Sequence, residues 1–321
     1  MNLNFIQRLI DPVNNEQLKL ESPVFSSSDE VFEGYLVSSL NRYPIIGGVP
    51  RFVQSENYTS SFGYQWNKWS KVQFDSENVN GPMSGYTTKM WETIMGDLAH
   101  LGPNSLVLDI GCGPGRFIEV ALAKGAKVIG LDYSNAVNAA YNNFKGNPNV
   151  CIVQADALQM PFALSTFDYI YTIGVLHHTP NAYKGVEEAY RVLKQSGIFG
   201  ISVYGKSGYY DFPTVQLWRK FFNFLRPVFG NYPPLIYTYF VVNIFGPIRK
   251  YFPFLGRVIK LFFPFISIPD KRWSILDTFD SVTPSYQSAH ESFEVFKWLE
   301  SCGFSNIRPS NWGFTAYTGK K

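Results

Sequence analysis

SLVLDIGCGPGRF, residues Ser105 to Phe117, decides how the rest of the chain is read. Ser105 to Ile110 is a continuous apolar run of strand length, and Arg116 opens a helical stretch that reaches Lys124. Between them stand Asp109 at the strand end and then Gly111, Gly113 and Gly115, spaced two apart. Glycines at that spacing let the backbone turn sharply and approach a ligand closely, and the helix N-terminus behind them offers free N–H groups. A nucleotide-like ligand fits such a turn. Twenty-one residues beyond Gly111, at the end of the next strand, Asp132 is placed to accept hydrogen bonds from ribose hydroxyls. At the end of the third strand, Asp156-Ala157 is placed to bracket an adenine amino group.

Outward from this stretch, strands and helices alternate. Strands are expected at Lys127–Leu131, Val150–Gln154, Tyr169–Ile173 and Ile198–Tyr204, and helices at Ala136–Phe144 and Tyr183–Lys194. Such alternation is the mark of βαβ units with a parallel sheet. After an interruption it resumes with a capping box expected at Ser288 and Glu291, a helix to about Cys302 closed by Gly303, and strands at about Asn306–Pro309 and Gly313–Thr318.

Together these features resemble the class I S-adenosylmethionine-dependent methyltransferases, whose first motif reads much like Val107 to Phe117. The resemblance extends through Leu131-Asp132-Tyr133-Ser134, Gln154-Ala155-Asp156-Ala157, Phe167-Asp168, Val175-Leu176-His177-His178 and Arg191-Val192-Leu193-Lys194. Gln195-Ser196-Gly197 stands where many relatives have Pro-Gly-Gly. The family implies a doubly wound, mostly parallel seven-stranded sheet ending in an antiparallel hairpin, with S-adenosyl-L-methionine as cofactor. By that resemblance Gly111, Gly113 and Gly115 cradle the methionine part, Asp132 meets the ribose, Asp156 and Ala157 meet the adenine, and Asp109 belongs to the same cofactor-binding motif; Tyr133 is a further cofactor candidate, lying along the ribose or the adenine, with ordinary core as the alternative. The rival enzyme class, a nicotinamide-dependent oxidoreductase, needs glycine or alanine at position 116, where this chain has Arg116. A non-enzymatic alternative is a membrane-associated protein that kept the cofactor fold.

Methyl transfer from a sulfonium is an in-line displacement, so holding the nucleophile against the methyl group supplies much of the acceleration. Where the acceptor is a hydroxyl, a histidine suits proton removal near neutral pH. His177 and His178 follow the fourth core strand, at the edge where ligands sit in open α/β sheets, and are the candidate catalytic pair; the alternative is that they order the loop before Pro180. His290, beside the capping box, is read as a surface residue.

Residues 1–57 read as a small β-rich module with strands at Tyr35–Val37 and Tyr43–Ile46, an appendage to the core. Tyr43 to Phe52 resembles the end of the zinc-ribbon-derived domain that precedes many bacterial methyltransferase domains. Asp11-Pro12-Val13-Asn14 stands where zinc-binding relatives have Cys-Pro-x-Cys, so no metal is expected. Residues 58–99 read as a helical cap: Phe62, Trp66 and Trp69 share one face, and a second helix is expected over Thr87–Leu98. Phe62 to Trp66 resembles a stretch found after that module in methyltransferases of surface-polysaccharide and secondary-metabolite clusters. Tyr64 and Gln65 are therefore candidates for covering the cofactor or touching the acceptor.

Residues 100–204 form the cofactor-binding core and 274–321 complete its sheet. Residues 205–273 break the alternation with an aromatic, proline-punctuated helical insertion. It holds ten of the 28 basic residues and two of the 25 acids, so its charge is +8 in a chain of net charge +3. If Arg249 to Phe263 is one helix, Lys250, Arg257 and Lys260 lie opposite Phe252, Leu255, Ile259 and Phe262. That arrangement suits either an anionic membrane surface or a lid over the acceptor whose basic residues are solvated.

Bulk composition narrows the class. The chain of 321 residues is 45% hydrophobic, and its small net charge does not point to nucleic acid. Cys112, Cys151 and Cys302 are scattered without ligand spacing, which fits a reducing, cytoplasmic setting. No secretory pattern opens the sequence, and Leu235 to Phe245 is shorter than the roughly 20 residues of a spanning helix. The expected partner is a small-molecule or lipid- or sugar-linked acceptor, with peripheral contact at the cytoplasmic membrane face if the insertion is a membrane surface.

Overall fold

The computed structural model describes residues 1–54, 58–96, 100–312 and 315–321. The expected boundaries at 57/58 and 99/100, the helix end at Leu98 and the strand start at Gly313 lie on or beside residues outside that set.

The N-terminal part is a four-stranded antiparallel sheet, β1 (Lys19–Ser27), β2 (Glu30–Val37), β3 (Arg42–Ile46) and β4 (Val49–Pro50), in sequential order. β1 has no expected counterpart because its residues are exposed and carry no apolar alternation. The module is not separate from the core: Met1, Phe5, Leu9, Leu18, Val31, Leu36 and Ile45 share one buried cluster with Ile129, Cys151 and Phe162. Asp11 ties two of its turns together. Fully buried, it accepts hydrogen bonds from Val13 N–H (2.9 Å), Asn41 Nδ2 (2.9 Å), Tyr43 Oη (2.8 Å) and Ser38 Oγ. Burial alone would raise its pKa, but these bonds outweigh it and hold the carboxyl below its usual value. Asp11→Ala is expected to cost about 1–3 kcal/mol in urea denaturation, since four donors lose a charged acceptor. The wild-type contribution is present above the unfolded carboxyl pKa and is lost as pH falls through the lower folded value. Equal stabilities of the two proteins at neutral pH would refute this role.

Two helices follow, α1 (Ser60–Lys68) and α2 (Tyr86–Met95). The core sheet comprises β5 (Leu106–Ile110), β6 (Lys127–Asp132), β7 (Val150–Gln154), β8 (Phe167–Ile173), β9 (Leu193–Val203), β10 (Ser305–Pro309) and β11 (Thr315–Lys320). Their order is β10-β11-β9-β8-β5-β6-β7, with β11 antiparallel to both neighbours and the remaining pairs parallel. This is the doubly wound sheet with a terminal hairpin that the sequence predicts. Every residue of β5 and β7 is buried, which is why they read as unbroken apolar runs. Crossover helices α3 (Arg116–Ala123), α4 (Val137–Phe144) and α5 (Ala182–Val192) link the parallel strands. Because β6 and β8 flank β5, the winding reverses there and opens a crevice at the strands' carboxyl ends.

Two local expectations shift. The strand expected from Ile198 begins at Leu193, which pairs with Phe167, and Gln195-Ser196-Gly197 falls in the irregularity before pairing resumes between Ile198 and Tyr169. The capping box sits three residues later than expected: Glu291 is the N-cap of α10 (Ser292–Cys302) and Glu294 its reciprocal partner, while Ser288 Oγ donates to the His177 carbonyl.

The insertion builds α6 (Pro213–Phe229), α7 (Tyr232–Tyr251) and α8 (Pro253–Phe262). The helix expected from Arg249 to Phe263 breaks at Phe252, because Pro253 takes the first position of a new helix, where its missing N–H costs nothing. Then α9 (Lys271–Val282) runs across the expected boundary at 273/274 and packs on both α6 and α7. Phe222, Tyr237, Val241, Phe265, Ile275 and Val282 form their common core.

Candidate active site

One cavity lies over the carboxyl ends of the core strands, and Gly111 to Pro114, Leu131, Asp132, Tyr133, Asp156 and Ala157 are part of its lining. The loop after β5 is pinned from below: one Asp132 carboxylate oxygen accepts from Gly113 N–H at 2.8 Å, and the other accepts from Ser134 N–H at 2.8 Å and Ser134 Oγ at 2.7 Å. Burial raises the Asp132 pKa while these bonds oppose the rise. Gly111 adopts φ +73, and a Cβ there would fall 2.3 Å from Val175 Cγ1. Gly115 is required for a different reason: it lies off the cavity at the start of α3, with φ +97 and the Phe144 ring 2.4 Å from where a Cβ would stand.

Other expected site residues divide in the same way. Asp109 is buried beneath the loop, its pKa pushed well above the usual range by burial and by Asp132. Tyr133 faces the cavity and stacks on Tyr58, ring centroids 5.1 Å apart. Asp156 lines the cavity, its pKa raised by burial, and accepts from Leu158 N–H.

His178 reaches the cavity, but His177 does not: it is fully buried behind Tyr204, whose ring centroid is 3.7 Å away and whose backbone N–H donates to His177 Nδ1. Desolvation holds His177 well below its usual pKa and brings His178 down to about 4. At neutral pH both rings are therefore uncharged. His178 Nδ1 lies 3.0 Å from the Tyr286 carbonyl, which can only accept, so that nitrogen carries the proton and Nε2 keeps its lone pair.

On α1 the cavity-facing side chains are Phe62 and Trp66, not Tyr64 and Gln65. Trp69, from the same stripe, packs edge-on against Phe279 of α9, and Tyr64 lies against the same ring. Gln65 is fully buried one layer back, where its Nε2 donates to Asp280 at 3.0 Å.

The rest of the lining comes from residues that the sequence did not mark as site candidates. Trp273, Leu276, Asp277 and Asp280 project from α9, Tyr204 and Tyr210 follow β9, and Gln73, Tyr86 and Arg116 complete the wall. Asp277 is pushed up to about 7 by burial and by the charge of Asp280, against the opposing influence of Arg116. Gln73 bridges the two, accepting from Arg116 on its oxygen (2.6 Å) and donating to Asp277 (3.0 Å). The spacing of Trp273, Asp277 and Asp280 at i, i+4, i+7 was the available signal, the same one that marks Phe62, Trp66 and Trp69.

Residues 108–201, which carry the glycine loop, match the family described as Methyltransferase domain. The chain is 35% identical over 150 residues to a sterol 24-C-methyltransferase of Schizosaccharomyces pombe, covering 44% of this chain and 39% of that protein. It is 32% identical over 162 residues to a demethylmenaquinone methyltransferase of Staphylococcus haemolyticus, covering 48% and 66% respectively. Among solved structures, a SAM-dependent methyltransferase from Aquifex aeolicus aligns with a TM-score of 0.40 at 14% identity, covering 73% of this chain and 96% of that one. The chain thus spans less than half the length of the sterol methyltransferases it matches.

Proposed function

We propose that this chain transfers a methyl group from S-adenosyl-L-methionine to a small-molecule or lipid- or sugar-linked acceptor held in this cavity. The observation that carries the reading is the placement of Asp132: bonded to the glycine loop, it lines the same cavity wall as Tyr133, Asp156 and Ala157. The residues present fit the cofactor. The cofactor supplies the electrophilic methyl. Gly111 and Gly113 leave room for its methionine part, Asp132 keeps one acceptor position, on the oxygen bonded to Gly113, for a ribose hydroxyl, and Tyr58 and Tyr133 offer stacked rings beside Asp156. What remains for the protein is to orient the acceptor and exclude water. α9 and Tyr210 wall the acceptor end, and the neutral His178 Nε2 is free to accept a hydrogen bond from a protic nucleophile. Incubation with methyl-labelled S-adenosylmethionine and a cell extract is expected to label a small-molecule or lipid fraction. No incorporation, together with tight binding of NAD, would favour the oxidoreductase class instead.

The acceptor's setting is inferred from the outer face of the insertion. Phe224 and Phe254 are each 80% exposed, and Leu217, Val228, Tyr232, Ile236, Phe252 and Phe262 are exposed around them. A soluble helix hides such residues; α6, α7 and α8 turn them outward on the same helices as the exposed Lys220, Lys250 and Arg257. This combination supports peripheral binding to an anionic bilayer, with the inner faces of the same helices backing the pocket wall. Among the described residues no helix is long and apolar enough to cross a membrane. The protein is expected to sediment with anionic vesicles at low salt and to be released at high salt, with Phe224→Glu/Phe254→Glu weakening binding. Failure to sediment with anionic vesicles at low salt would refute the membrane reading and leave the lid.

We read the N-terminal sheet as zinc-ribbon-derived, with Asp11 standing where zinc-binding relatives have the first cysteine of Cys-Pro-x-Cys. Elemental analysis is expected to find no stoichiometric zinc.

A further inference from the structure

Two buried carboxylates line the cavity with Arg116 as the cation that acts on both. Asp277 and Asp280 stand one helical turn apart on α9, and both line the cavity. Among the described residues neither forms an ion pair: Asp277 accepts from the neutral amide of Gln73, and Asp280 from Gln65 and, at 3.4 Å, from Tyr204 Oη. Arg116 is held off Asp277 by Gln73, which takes the guanidinium on its own oxygen. Buried charge without a partner is costly, so a site that retains two carboxylates and one arginine favours a ligand that brings positive charge. The surroundings also suit such a ligand. Indole and phenol rings wall the space, their faces attractive to cations.

We propose that the acceptor end is an ammonium site, in which Asp277 and Asp280, framed by Tyr86, Tyr204 and Tyr210, hold a protonated amine or quaternary ammonium group of the acceptor. This rests on the cofactor filling the glycine-loop end of the cavity. The groups facing the pair are Arg116 from α3, Tyr86 from α2, Tyr204 from β9, Tyr210 from the turn before α6, and His178 from the turn after β8. The tyrosines are pushed up by burial and His178 down, so the site's charge near neutral pH is set by the two carboxyls. Cation binding strengthens as they ionise and weakens as pH falls through about 7.

The test compares choline with its neutral carbon isostere 3,3-dimethyl-1-butanol, titrated calorimetrically into protein saturated with S-adenosylhomocysteine. Choline is expected to bind about tenfold or more tighter than the isostere. That preference is expected to fall severalfold between about pH 8 and about pH 6, because choline itself does not titrate. Asp277→Asn/Asp280→Asn is expected to abolish the preference while S-adenosylhomocysteine still binds. Equal binding of choline and isostere to the wild-type protein overturns the proposal without reliance on any variant. Choline binding only to cofactor-free protein also overturns it, because the carboxylates then serve the cofactor's own ammonium. If S-adenosylhomocysteine does not bind, the methyltransferase reading falls, and the choline–isostere comparison on the same protein still decides the ammonium site.

Discussion

Asp132→Ala is expected to weaken S-adenosylmethionine binding by at least about a hundredfold in equilibrium dialysis, more than a single lost ribose bond explains. A charge-assisted hydrogen bond is worth about 1.5–3 kcal/mol, which alone gives about ten- to a hundredfold. The same carboxylate also holds Gly113 N–H and both donors of Ser134. Removing it therefore releases the loop as well as the ligand contact. Stability is expected to change much less than affinity, because burying the carboxylate is itself costly, as its raised pKa shows, and this cost offsets part of what its bonds contribute. Asp132→Asn separates the two roles: its amide oxygen can still accept from Gly113, so it should bind better than the alanine variant. Wild-type affinity in Asp132→Ala would remove this residue from the site.

The second large effect is expected at Gly111→Ala. The left-handed conformation there costs a non-glycine residue roughly 1–2 kcal/mol. The new methyl would also stand 2.3 Å from Val175 Cγ1 and 2.8 Å from Val175 Cβ, on a stiff β-branched side chain that cannot swing clear. Overpacking of this kind costs about 1–3 kcal/mol more. Chemical denaturation should show the combined loss, and cofactor binding should fall with it because the loop shifts. Val175→Ala in the same chain is expected to recover the packing part while leaving the conformational part. A Gly111→Ala protein as stable as wild type would mean that the loop has another conformation.

What was legible in the sequence was whatever local spacing dictates. The apolar run into three glycines, the acid ending β6 and the acid after β7 are each fixed by chain geometry within a few residues of a strand end, so their places in the cavity follow from the fold. Asp109 and Gly115 belong to the same motif but act from beneath it and beside it, a distinction only packing reveals. His177 and His178 are adjacent in sequence, yet Tyr204 covers one and leaves the other at the cavity. Tyr64 and Gln65 illustrate the limit of a helical face: the aromatic stripe on α1 was visible, but which side met the cavity depended on α9, more than two hundred residues away. For the same reason Asp277 and Asp280 were not singled out, since nothing nearby in the sequence says that the helix after an aromatic insertion returns to the active site. The insertion's charge was legible; its outward-turned phenylalanines and the break at Phe252 were not.

The most direct test of the central claim is calorimetric titration of the purified protein with S-adenosylmethionine, with NAD as the control ligand. Saturable binding of S-adenosylmethionine at one site per chain, with none for NAD, is the predicted result; heat from NAD alone would contradict it.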